Sequence, residues 1–325
     1  MILTEAPVVT AALEAAVRAP SPHNTQPWLF ELGPDVIGVV LDEDRGLEVC
    51  DPDRREARLS CGAALLNLEL AIAVAGRSCD VEFLPEKDRP ELLAKVGIGL
   101  RHRPTAAEQR LAASIRVRYS NRRPFASTPV PAWARHAVRR AAREEGAKLI
   151  LLDEVGLLET VAGLIRRADH IQLLDERFQA ELREWTREAG SHDGVPAYAG
   201  GPRPSGGLLP VRHHGESDRV REFERDPVVA VLTTPTDGPL AQIRAGRAMQ
   251  RALLTATSLG LSVSFYSQPM EIPSARAALR SLLGENEHPQ VGFRLGYGFP
   301  GTTTPRRPVE EVTRSRPDSE GLRRR

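Results

Sequence analysis

The chain has 325 residues, of which 41% are hydrophobic and 27% charged, and its formal net charge is +1. This composition is typical of a globular protein, and the small net charge argues against a chain-wide surface for nucleic acid or anionic membranes. The three cysteines, Cys50, Cys61 and Cys79, form neither a CxxC pair nor a metal-ligand spacing, which favours a reducing compartment. We therefore expect a cytoplasmic protein with no nucleic-acid partner, no membrane partner and no metal site.

The predicted elements of the first half begin with an amphipathic helix at 8–19 that ends before Pro20. An irregular loop, RAPSPHNTQPW at 18–28, leads into two strand-like runs, WLFEL and VIGVVLD. The stretch SCGAALLNLELAIAVAG at 60–76 has small and aliphatic residues all round, which predicts a helix buried on most faces. A strand, CDVEFLP, follows, and DRPELLAKVGIGL at 88–100 mixes a short helix with an apolar run.

The second half opens at VRYSNRRPF, residues 117–125. The stretch 131–146 predicts a helix stopped by a glycine, followed by the strand AKLILLD and a long helical segment over 154–189. Residues 190–215 are dense in Gly and Pro and predict an irregular segment. The strand PVVAVLTT, a second small-residue helix at 244–263 and the closing strand PQVGFRLGYGFP complete the chain.

The two small-residue helices share a pattern of Gly, Ala and Leu. The positions that recur at the same mutual spacings are Gly62, Ala64, Leu70 and Gly76 in the first helix and Gly246, Ala248, Leu254 and Gly260 in the second. Either two buried helices have converged in composition, or the chain is a fused pair of related halves. Because two-fold dimers bury matching surfaces, the second interpretation makes the chain an intramolecular pseudo-dimer and allows it to be monomeric.

A cluster of basic residues with alternate spacing suits an anion. Arg118, Ser120 and Arg122 point to one side of an extended segment, and two guanidiniums beside a hydroxyl match a phosphate group. The alternative is a basic surface loop. A second basic pair, Arg306 and Arg307, either completes a phosphate clamp or forms a solvated turn.

Four motifs, in order along the chain, together resemble the FMN-dependent nitroreductase superfamily: PSPHNTQPW at 20–28, RYSNRRPF at 118–125, GRAMQRALLTATSLGL at 246–261 and LGYGFP…PRRPVEEV at 295–312. More closely, the long chain with the loop in its first half and RxSxR in its second resembles the Acg family of actinobacteria, which are fused nitroreductase-like flavoproteins. The resemblance covers most of residues 8–313, apart from about 154–215.

The resemblance implies which residues bind the cofactor. In nitroreductases the loop of one subunit closes on FMN held by the other, which implies FMN contacts for Pro20, Ser21, Pro22 and Asn24. The basic segment matches the family's cofactor-binding arm, Arg118, Ser120 and Arg122. The turn FYSQPM matches the one that passes the reactive edge of the flavin, which adds Ser267, Gln268 and Pro269. A looser alignment adds Arg221, and at least one of Arg306 and Arg307 is expected to meet the phosphate.

The segment at about 154–215 has no counterpart in short nitroreductases. Long insertions of this kind are functional lids or linkers, and the resemblance places this one near the rim of the flavin site. Tyr198, the aromatic residue of its Gly- and Pro-rich part, is the ring that we expect to reach the flavin.

The resemblance implies an α+β fold of two nitroreductase-like halves, each with a mostly antiparallel sheet flanked by helices. We expect residues 1–112 to carry the flavin-closing loop and residues 113–325 the phosphate arm, with a lid-like insertion at about 154–215. The implied function is an FMN-binding oxidoreductase that takes hydride from NAD(P)H and reduces small electron-poor acceptors such as nitroaromatics and quinones. The alternatives are a flavoprotein that sequesters or stores FMN with little turnover, and an interaction protein that has lost FMN. Because FMN carries the hydride chemistry itself, the sequence yields no catalytic acid or base.

Overall fold

The computed structural model describes residues 6–212, 214 and 219–315. The helices are α1 (Ala6–Ala16), α2 (Arg55–Val74), α3 (Ala106–Val117), α4 (Ala132–Glu144), α5 (Val155–Leu174), α6 (Glu176–Glu184), α7 (Pro239–Ser258), α8 (Gln268–Glu271) and α9 (Pro273–Leu283). The strands are β1 (Trp28–Leu32), β2 (Val36–Leu41), β3 (Arg77–Phe83), β4 (Leu92–Arg101), β5 (Lys148–Leu151), β6 (Thr186–Arg187), β7 (Val195–Pro196), β8 (Arg203–Pro204), β9 (Val220–Arg221), β10 (Val228–Thr234), β11 (Ser262–Tyr266), β12 (His288–Gly296) and β13 (Thr313–Ser315).

Two antiparallel sheets form the framework, which confirms the predicted fold class. One sheet has the strand order β13-β1-β2-β4-β3, with a parallel pairing only between β1 and β13, and the other has the order β11-β12-β10-β5. When β13 is set aside, each sheet has four strands, and in both sheets they lie in the order third, fourth, second, first, counted along the chain. Each half also has a helix before its first strand and a 20-residue helix between its second and third strands. Internal duplication stays a prediction. Two halves that arose by duplication would share one strand order, and these two halves do.

The core of the molecule lies where α2 and α7 cross between the sheets. A Cβ atom on Gly62 would stand 2.1 Å from the carbonyl oxygen of Ile243, and one on Gly246 would stand 1.9 Å from that of Leu59. The two contacts are reciprocal, because Gly62 and Gly246 are separated by the same number of residues as Leu59 and Ile243. Such reciprocity is the signature of a two-fold interface.

Helix α2 begins earlier than the small-residue pattern predicts. The carboxylate of Asp51 accepts hydrogen bonds from the N–H groups of Glu56 and Ala57 at 3.0 and 2.9 Å, which satisfies two donors of the first turn. Within the described part of the chain, α2 is the helix with the length and composition of a membrane span, and 72% of its most apolar window is buried. We interpret it as a core helix.

Several boundaries differ from the sequence predictions. Residues 92–101 form strand β4 without the short helix expected over 88–100. The long helix predicted over 154–189 is two helices, because Asp175 ends α5 and its side chain accepts from the N–H groups of Arg177 and Phe178 at the start of α6. The expected boundary between residues 112 and 113 falls inside α3, and β13 returns to the sheet of the first half.

Candidate functional site

The loop before β1 adopts a strained backbone. His23, Asn24 and Gln26 have φ values of 47°, 58° and 54°, in the left-handed region that is uncommon for residues other than glycine. Hydrogen bonds hold this shape: the Gln26 N–H donates to Ser21 Oγ at 2.9 Å, and Asn24 Nδ2 donates to the Gly194 carbonyl at 2.9 Å. Strain of this kind persists where the surroundings impose it, and it clusters at ligand sites.

The basic segment runs beside β11 in an extended conformation. The N–H of Asn121 donates to the Val263 carbonyl at 2.8 Å, so Arg118, Ser120 and Arg122 all face one cleft, which we call the arginine cleft. Its lining residues are Arg18, Pro20, Ser21, Asn24, Arg116, Arg118, Tyr119, Ser120, Arg122, Thr303, Thr304 and Arg306.

The three guanidiniums of the arginine cleft that belong to buried or half-buried residues, Arg118, Arg122 and Arg306, have no acidic partner among the described residues. Arg118 and Arg122 donate to main-chain carbonyls, and Arg306 donates to carbonyls, to the Thr304 hydroxyl and to Asn24 Oδ1. Desolvation lowers the pKa of Arg118 and of Arg122 to about 10, and desolvation with repulsion from neighbouring guanidiniums lowers that of Arg306 to about 9. The Nε atoms of Arg118 and Arg306 are buried without a hydrogen-bond partner. An anion with several oxygens would satisfy both the charge and these donors.

A larger cleft of about 860 Å³, including its solvent-open part, adjoins the arginine cleft, and we call it the large cleft. Pro20, Ser21, Ser120 and Arg122 line both. Both halves of the chain build the large cleft, whose other lining residues are Pro22, His23, Glu56, Leu59, Ser60, Val211, Arg212, His214, Met249, Ser264, Phe265, Ser267, Gln268, Gln290 and Val291.

The structure brings most of the predicted site residues to these two clefts. Those that line at least one are Pro20, Ser21, Pro22, Asn24, Arg118, Ser120, Arg122, Ser267, Gln268 and Arg306. Pro269 is buried in α8 and lines neither.

Two predicted basic residues and one aromatic residue lie away from the clefts. Arg221 is exposed in β9, and among the described residues its guanidinium donates only to the carbonyl of its neighbour Val220. The loose alignment that suggested this residue therefore does not place it near either cleft. Arg307 turns to the Gln26 carbonyl and to the Asp42 carboxylate, both at 3.4 Å. Tyr198 is 56% exposed and lines neither cleft.

Sequence reasoning missed a buried polar network at the far wall of the large cleft. His23 Nδ1 lies 3.2 Å from His214 Nε2, and Cys50 Sγ lies 3.7 Å from His23 Nε2. Arg212 donates to both carboxylate oxygens of Glu271 at 3.0 and 2.6 Å. Burial and Arg212 lower the pKa of His23 to about 3; burial alone would raise that of Glu271, but Arg212 lowers it to about 2. No sequence motif joins residues so far apart in the chain.

Three members of this network, His23, Cys50 and Glu271, present ligand-type atoms within 4.8 Å of one another. The two oxygens of Glu271 already accept hydrogen bonds from Arg212, and Gln172 donates to one of them as well. We interpret the group as a hydrogen-bonded network because the carboxylate is saturated by cationic and amide donors.

Comparison with known proteins gives close relatives in Mycobacterium tuberculosis. The chain is 34% identical over 319 residues to "putative NAD(P)H nitroreductase Rv3131", covering 95% of this chain and 91% of that protein. It is 30% identical over 324 residues to "putative NAD(P)H nitroreductase acg", covering 96% of both. No family model matches the chain.

Solved nitroreductases are more distant. A nitroreductase with bound FMN from Bacteroides fragilis is 19% identical with a TM-score of 0.38, over 61% of this chain and 93% of that one. An FMN-bound nitroreductase from Desulfitobacterium hafniense is 16% identical with a TM-score of 0.40, over 62% of this chain and 95% of that one.

Proposed function

The chain belongs to the NAD(P)H nitroreductase family that includes Rv3131 and acg, and from this premise we propose that it is an FMN-dependent oxidoreductase. In this proposal NAD(P)H supplies the electrons and a small electron-poor molecule, such as a nitroaromatic or a quinone, accepts them. The unpaired guanidiniums of the arginine cleft carry the proposal, because buried cations need an anion that the described residues do not provide.

The residues present fit FMN in both charge and shape. Arg118, Arg306 and Ser120 would hold the phosphate in the arginine cleft, where the orphaned Nε atoms lie. The adjoining large cleft shares Ser120 and Arg122 with the first and is lined in part by Leu59, Met249 and Phe265. Apolar side chains of this kind suit a planar ring system, which this cleft would take. FMN, when bound, supplies the hydride chemistry.

The chain itself contributes position and electrostatics. Arg122 lines both clefts and places a positive charge beside the space for the ring. A positive charge fixed in a partly desolvated site would stabilise the negative charge that a reduced ring accumulates. The strained loop that carries Pro20 and Ser21 gives this space a rigid wall.

A second candidate function is FMN sequestration with little turnover. The insertion is hydrogen-bonded to residues at the site: Asn24 Nδ2 donates to the Gly194 carbonyl, Gln26 Nε2 to that of His192 and Arg122 to that of Ala199. Residues 211–212 and 214 of the same segment line the large cleft. A cover pinned at several points would slow the entry of nicotinamide and acceptor.

The absorbance spectrum of the purified protein tests both proposals. A yellow protein bleached anaerobically by NADH or NADPH and recoloured by a quinone or nitroaromatic supports the reductase. A yellow protein that only dithionite bleaches supports sequestration. A colourless protein that cannot take up added FMN would overturn both. The Arg118→Met variant is the control. It should lose FMN on desalting, so any bleaching seen with it measures the contribution of free flavin.

A further inference from the structure

Glu56 is a carboxylic residue that faces the proposed reaction space. It lies in the first turn of α2 and lines the large cleft, although it is only 6% exposed. Its N–H donates to Asp51 Oδ1 at 3.0 Å, and its Oε1 accepts from Arg55 Nη2 at 2.7 Å. Arg55 is anchored in turn by donating to the Gln290 carbonyl. Arg55 therefore holds the Glu56 carboxyl group in place through Oε1, and it makes no hydrogen bond to Oε2.

The surroundings of this carboxyl group favour its protonated form. Burial raises its pKa, the nearby Arg55 and Arg212 oppose the rise, and the carboxylates of Glu271 and Asp51 add to it, so that the pKa reaches about 8. A protonated carboxyl can still accept a hydrogen bond from Arg55 through Oε1 while Oε2 carries the proton.

A two-electron acceptor such as a quinone needs a proton as well as a hydride. Two histidines also line the large cleft, His23 and His214, and their ring nitrogens face each other at 3.2 Å. Burial and Arg212 lower the pKa of His23 to about 3, so His23 holds no extra proton near neutral pH. The guanidiniums of Arg122 and Arg212 do not give up protons in this range. A group whose pKa lies near the working pH is the effective general acid.

Building on the proposed function, we propose that Glu56 donates the proton that accompanies hydride transfer to an acceptor in the large cleft. A quinone gains a hydride, which carries two electrons, from the reduced cofactor and a proton from Glu56 Oε2, giving a hydroquinone. The O–H bond of Glu56 breaks and the resulting carboxylate pairs with Arg55. Asp51, Arg55 and Glu271, whose charges act on Glu56, line a separate groove, and we expect solvent in that groove to return the proton.

The first test needs no cofactor. Infrared difference spectra of the apoprotein should contain a carboxylic C=O band that is lost as the pH rises through about 8 and is absent from Glu56→Gln. The control is Glu69→Gln on the same helix, where burial raises the pKa of Glu69 to about 7. Glu69 pairs with Arg247 and lines neither cleft, so this control should retain the band that Glu56→Gln removes.

The second test uses FMN-loaded protein reduced with dithionite and mixed with an acceptor. Glu56→Gln should slow quinone reduction by about 10²–10⁴-fold, the usual contribution of a general acid. It should leave reduction of ferricyanide unchanged, because ferricyanide takes electrons without protons. The wild-type quinone rate should fall above about pH 8, and the residual rate of the variant should not.

The outcomes separate the two proposals. If wild-type protein reduces quinones and Glu56→Gln does so equally fast, Glu56 is not the donor and the proposed function stands. A C=O band that does not titrate near pH 8, or equal slowing with quinone and ferricyanide, also overturns the role of Glu56. If dithionite-reduced wild-type protein reduces no acceptor, the reductase function fails and this inference fails with it.

Discussion

Replacing Arg118 with Met should stabilise the protein without its cofactor and weaken FMN binding at the same time. Arg118 is 7% exposed, and its described hydrogen bonds reach only a main-chain carbonyl. Burial lowers its pKa to about 10, which corresponds to about 3 kcal/mol against the charged form. Because the pKa of this base is depressed on folding, the penalty applies at every pH below about 10 and is fully present at pH 7.

Removing the charge relieves this penalty, and Met fills much of the same space. We expect the free energy of unfolding of the apoprotein to rise by about 1–3 kcal/mol, since Met forfeits the bond to the carbonyl and some packing. FMN binding should weaken about ten- to a hundred-fold, because a hydrogen bond to a charged group contributes roughly 1.5–3 kcal/mol. Riboflavin, which lacks the phosphate, should lose little affinity.

Urea denaturation of the apoprotein and flavin titration by fluorescence measure the two effects. Arg110→Met is the matched control, because Arg110 is an exposed residue of α3 that lines neither cleft. Arg110→Met should change neither the free energy of unfolding nor the affinity for flavin. Equal losses for FMN and riboflavin would show that Arg118 does not bind the phosphate, and a destabilised apoprotein would refute the argument from an unpaired buried cation.

Three further changes test other parts of the structure. Gly246→Ala should destabilise the fold by about 1–3 kcal/mol in urea denaturation, because its Cβ would meet the backbone of Leu59. Gly163→Ala in α5 is the control, because its Cβ would come no nearer than 4.0 Å to the Arg166 side chain, and it should be neutral or stabilising by up to about 1 kcal/mol. Equal effects would contradict the close crossing of α2 and α7. Because folding depresses the pKa of His23, stability is lost as the pH falls from about 6.5 towards 3. His23→Gln should therefore flatten the dependence of the unfolding free energy on pH between 6 and 4. An unchanged slope would show that another group controls this dependence. Replacing residues 190–212 with a short Gly/Ser bridge should speed flavin reduction by NAD(P)H while FMN stays bound; an unchanged rate in stopped-flow measurements would make the segment a linker and not a lid.

The sequence by itself determined the features that depend on local spacing. Alternate positions in an extended segment place Arg118 and Arg122 on one side whatever surrounds them. The run of Gly, Ala and Leu in α2 predicts a helix that another helix can approach closely, and Gly62 makes that approach. The strand order of each half could not be predicted from local pattern, and the mostly antiparallel character of the sheets followed only from the family resemblance.

The tertiary structure decided which side chains meet. Arg306 and Arg307 are adjacent and chemically alike, yet the backbone turns one into the arginine cleft and the other towards Asp42. No sequence motif marks Glu56. Its pKa is raised by burial and by the carboxylate of Glu271, which lies more than two hundred residues away in the chain. Local pattern sets the direction of a side chain relative to its own backbone, but desolvation and the charges that shift a pKa come from neighbours that only the folded chain brings together.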